Sequence, residues 1–159
     1  MTHHHPDDLA AALTRQAQGG LCAEAAAMVI AGQRTWLARD DFVAAYLDTF
    51  PALGDATTMA VIDWDGALAA IDTATLVCSS GEEQMLRIAA SLAAGAPIDL
   101  SSVLTGLDDH NLGVVLAAIA HAGGATTTAA RTPRTPEPHP PAAQTPCPNH
   151  HNCMLSHTL

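Results

Sequence analysis

Residues 78–124 leave this chain the least freedom, because helix starts, apolar seams and stops can all be read from the residues themselves. Ser80 followed by Glu83 is a capping-box signature. The hydroxyl accepts from the Glu83 amide while the carboxylate reaches back to the amide of Ser80. Glu82 and Glu83 also face the positive end of the helix dipole. Met85, Ile88, Ala89 and Leu92 then recur on one face until Gly95 and Pro97 end the helix. A second helix opens with Asp108 or Asp109 as cap, predicts an inward seam of Leu112, Val115, Leu116 and Ile119, and stops at Gly123 and Gly124. Between them, residues 98–104 predict one short helical turn capped by Asp99 or Ser101. The expected unit is a helical hairpin with a small bridging helix.

Upstream, Asp7 or Asp8 caps a helix carrying Leu9, Leu13 and Ala17 on one face, ended by Gly19 and Gly20. Residues 21–33 are apolar almost all round, which predicts a central helix with Leu21, Ala25, Met28 and either Val29 or Ile30 turned inward. Asp40 or Asp41 starts a third helix through Phe42, Tyr46 and Phe50, stopped by Pro51. Trp36 and Trp64 flank it, so five rings are expected in one satellite of the core. Asp63 or Asp65 caps a further short helix bearing Leu68 and Ile71. The fold class expected is all-α, a bundle of five to seven short helices, with one very short strand pair allowed between Trp36-Leu37 and Val61-Ile62.

The chain has 159 residues, which suits one domain and a tail. Residues 1–6 are read as a disordered start, 7–124 as the helical domain, and 125–159 as a Pro-, Thr- and Ala-rich disordered extension. The formal net charge is −10, with no lysine anywhere. Nucleic-acid binding needs cations that displace phosphate counterions, so this chemistry is excluded as an expectation. No stretch reaches the roughly 18 apolar residues needed to span a bilayer, and the start lacks the basic and apolar parts of a signal peptide. Cys22, Cys78, Cys147 and Cys153 do not form a disulfide framework, so a cytoplasmic protein is expected.

Thr35 to Phe42, then Ile62-Asp63-Trp64, Cys78 to Glu82, Leu86 to Leu92, and Gly106 to Asn111 together resemble small helical proteins of high-GC Gram-positive bacteria and their phages, whose function is unassigned. That resemblance implies no activity. A second resemblance is local. Ala60 to Gly66 is similar to the strand and Asp-x-Asp-Gly of haloacid-dehalogenase-type phosphatases, and implies Asp63 as nucleophile and Asp65 as proton shuttle. It also implies Ser79 or Ser80 on the phosphate, and Asp108 with Asp109 on magnesium. Ala67 departs from that pattern, Arg87 is the one residue available as a cationic clamp, and about 45 residues cannot supply the parallel strands and crossovers required.

Three smaller groups carry candidate chemistry. Cys78, just ahead of a helix start, sits where a thiol pKa is lowered, though a small buried hydrophobe is the commoner use of such a residue. His110 and His121 lie about 16 Å apart along one helix and cannot share a metal; they are read as exposed residues opposite Leu112 and Ile119. In the tail, Cys147, His150, His151, Cys153 and His157 contain the ligand types of a zinc site without a familiar spacing. The function expected is therefore a non-enzymatic accessory protein that binds an unidentified protein partner and needs no cofactor, apart from zinc in the tail. Its contact rim would gather Trp36, Arg39, Asp40, Asp63, Asp65, Cys78, Ser80, Glu82, Asp108, Asp109, His110 and Asn111.

Overall fold

A computed structural model describes residues 5–54 and 57–125. They belong to one compact unit, Met1–Thr127; the remaining residues, with the whole tail cluster of Cys147, His150, His151, Cys153 and His157, lie outside the described part. The described residues form seven helices: α1 (Pro6–Ala17), α2 (Leu21–Gln33), α3 (Asp40–Tyr46), α4 (Trp64–Asp72), α5 (Ser80–Ala94), α6 (Leu100–Thr105) and α7 (Asp109–Ala122). One antiparallel pair, β1 (Leu47–Pro51) and β2 (Thr58–Ile62), stands between α3 and α4. The chain is thus mostly helical with a small sheet.

The central element is α2, which packs against α1, α5 and α7. Its sequence explains why: Ala25, Ala26, Ala27, Val29 and Ile30 are all buried, so small residues cover three sides and let the neighbouring backbones come close. Leu21 and Met28, expected inside, are exposed instead. A Cβ placed on Gly32 would lie 2.7 Å from Val114 Cγ1, so α2 and α7 meet where glycine leaves room. Fully burying Ile30, Leu86 or Met85 contributes about 1.5–3 kcal/mol each.

Several boundaries differ from the sequence reading. His5, not Asp7 or Asp8, caps α1, its Nδ1 accepting from the Asp7 amide at 3.3 Å. Pro6 already occupies the first helical position, where its missing N–H costs nothing. At α5 the capping box is one residue earlier than predicted. Ser79 Oγ accepts from the Glu82 amide, and Glu82 Oε2 accepts from the Ser79 amide at 2.7 Å. Both registers satisfy the same signature, but this one releases Glu83 to pair with Arg87 one turn on, at 2.8 Å.

The third helix ends at Tyr46 rather than at Pro51, because Leu47–Pro51 pairs with Thr58–Ile62. Phe50 therefore leaves the helix, and the ring cluster contracts to Trp36, Phe42 and Tyr46, with centroids 4.9 Å and 5.8 Å apart. Trp36 and Phe42 are fully buried in the main core, not in a satellite. Trp36-Leu37 lies in a single 3-10 turn and pairs with no strand.

The hairpin's edges are managed. Ala52 N–H donates to Thr57 O and Asp63 N–H to Tyr46 O, each at 2.8 Å. Hydrogen-bonded pairs alternate in an antiparallel ladder, so Leu47, Thr49 and Pro51 turn their backbone groups away from β2. Leu47 N–H is spent on Val43 O and Pro51 has none. On the other side, Arg15 of α1 donates to Thr58 O from both Nε (3.0 Å) and Nη2 (2.8 Å).

Candidate functional site

Part of the predicted rim does assemble, around the start of α5. Trp36 Nε1 donates to Glu82 O at 3.2 Å, and the Arg39 guanidinium sits 5.1 Å over the Trp36 ring. Arg39 Nη1 donates to Val77 O at 2.8 Å, while Nε and Nη2 grip both oxygens of Asp41 at 3.0 and 2.5 Å. Each partner shifts the other: the Asp41 hydrogen bond raises the Arg39 pKa, and Arg39 lowers that of Asp41. These donors and acceptors are satisfied internally. The cluster fastens α3 to the entry of α5 and offers little to a ligand.

Cys78, half-buried, lies beside it, and its surroundings do not activate the thiol. Burial raises its pKa first, with Glu83 and Glu82 adding repulsion that Arg39 and Arg87 only partly offset.

Three further parts of the rim stand elsewhere in the chain's hydrogen bonding. Asp40 is exposed in the first turn of α3, which takes Arg39 as its cap position. Asp108 caps α7, accepting from the amide of Asn111 at 2.7 Å and from its Nδ2 at 3.2 Å, with exposed Asp109 following in the first turn. Asp63 caps α4 through the Gly66 amide at 3.1 Å, and Asp65 is exposed in the first turn. Asp63 does follow a strand, as the phosphatase resemblance implies. That strand's one partner is antiparallel β1, however, and Arg87 is held by Asp72 at 2.5 Å and by Glu83. Ser80 and Arg87 line a cleft of about 290 Å³ between α5 and α6, together with Gln84, Asp99 and Ser102. Gln84, with its amide oriented to satisfy its neighbours, donates to Val103 O and Gly106 O at 3.2 Å and pins α6 in place. Among the described residues, no group of three or more His, Cys, Asp or Glu is arranged to hold a metal ion.

The largest departure concerns α7. His110 is exposed, as expected, with its Nε2 3.4 Å from Gly32 O of α2, whereas His121 is half-buried, its Nε2 2.6 Å from Glu24 Oε2. Glu24 also accepts from the Gly19 amide at 2.9 Å, and that bond, followed by the one to His121, lowers its pKa. The buried residues of α7 are Val115 and Ala118. The helix is turned by roughly a quarter of a turn from the predicted seam, and Leu116 and Ile119 are left exposed.

That rotation creates an apolar groove of about 420 Å³ between α5, α6 and α7, walled by Ile88, Leu92, Ile98, Leu100, Leu104 and Ile119. Among its walls the exposures are 54% for Leu100, 37% for Leu104 and 45% for Ile119; Leu116 of α7, outside the lining, is 59% exposed. None of the groove's lining residues is charged, and residues 112–120 contain no charge either. A signal for it exists in the sequence: a six-residue helix with leucines one turn apart beside the charge-free stretch 112–120, in a chain of net charge −10. No helix among the described residues is long and apolar enough to cross a membrane. No family model matches the chain, and neither a curated protein nor a solved structure does.

Proposed function

We propose that this protein is a non-enzymatic helical binding module that docks another polypeptide in the groove between α5, α6 and α7. One observation carries the reading: three large apolar side chains, Leu100, Leu104 and Ile119, stand exposed in the lining of one uncharged depression. Contiguous exposed apolar surface is costly in water and marks interaction sites. The groove replaces the polar rim as the favoured contact surface, since Trp36, Arg39 and Glu82 spend their hydrogen bonds on one another and on the backbone.

The test is affinity capture with the tagged full chain, comparing wild type with Leu104→Glu and Ile119→Glu and counting every retained polypeptide, further copies of the chain included. At least one should be lost with both groove variants and kept with Leu53→Glu, a substitution at a fully exposed residue of the hairpin turn. A retained set unchanged by both groove substitutions would rule the groove out.

A further inference from the structure

We draw no further inference here: the strongest candidate, a second apolar hollow of about 200 Å³ walled by Leu13 of α1, Ala27 of α2, Val61 of β2 and Trp64 of α4, is an unpartnered apolar surface, and nothing in the structure shows what covers it.

Discussion

The two flanks of α7 are built on opposite plans. Toward α2 it presents Val114, Val115, Ala118 and two histidines to Gly32, a row of alanines and Glu24, and the gap closes. Toward α6 it presents Leu116 and Ile119, the larger residues, and the gap stays open. Close packing here follows from small side chains that let backbones meet, and bulk without a facing partner produces a surface. Size alone is a poor guide to which side of an alanine-rich helix is inside.

The comparison can be broken most forcefully on the closed flank. Val115→Ala, at a residue 1% exposed, should cost about 2 kcal/mol or more in urea denaturation, combining lost transfer energy with a cavity. A cost close to zero would mean that the closed flank is not close-packed. Gly32→Ala comes next. Although alanine is the better helix former, the contact with Val114 should make it destabilising by about 1 kcal/mol. In a Val114→Ala background the same substitution should become neutral or stabilising, and a cycle of these variants checks the coupling directly.

The polar end of the closed flank adds a pH dependence. Glu24 has a folded pKa below its unfolded value because of the Gly19 amide and then His121. Its contribution is therefore present above the ordinary glutamate pKa and disappears as pH falls toward the lower folded value. Glu24→Gln should flatten the stability profile in that acid window, and should do so in proportion at every temperature of measurement. A wild-type profile already flat there would show that the bond does not persist in solution. On the open flank, Leu116→Ser should change the stability of the dilute monomer by less than about 0.5 kcal/mol, as for an ordinary surface position. A larger loss under those conditions would place Leu116 inside the core.

Helix starts were the most legible feature of the sequence. Asp63, Asp99 and Asp108 all cap where a short acidic side chain precedes an apolar period, and Gly95 ends α5 in the left-handed conformation at φ 72°. These are local effects, decided within one turn. The α5 cap slipped by one residue because Ser79-Ser80 and Glu82-Glu83 offer two equivalent registers, and the choice depends on Arg87, one turn away. The hairpin was hidden for a different reason. Leu47–Pro51 has no strong alternation and ends in a proline that reads equally well as a helix stop, so only its pairing with β2 makes it a strand. The orientation of α7 was not legible either, because it is set by the glycine and alanines of α2, far away in sequence. The polar rim was predicted from helix starts alone. The structure gathers those near Trp36 and Arg39 and uses them as fasteners.

The grip of Arg15 on the Thr58 carbonyl has a consequence for how copies of this molecule can grow into larger bodies. With one border of the hairpin held by a cation and the other interrupted by Pro51, a third strand finds too few free amides and carbonyls to zip onto, so fibre-like stacking through this ribbon has no template.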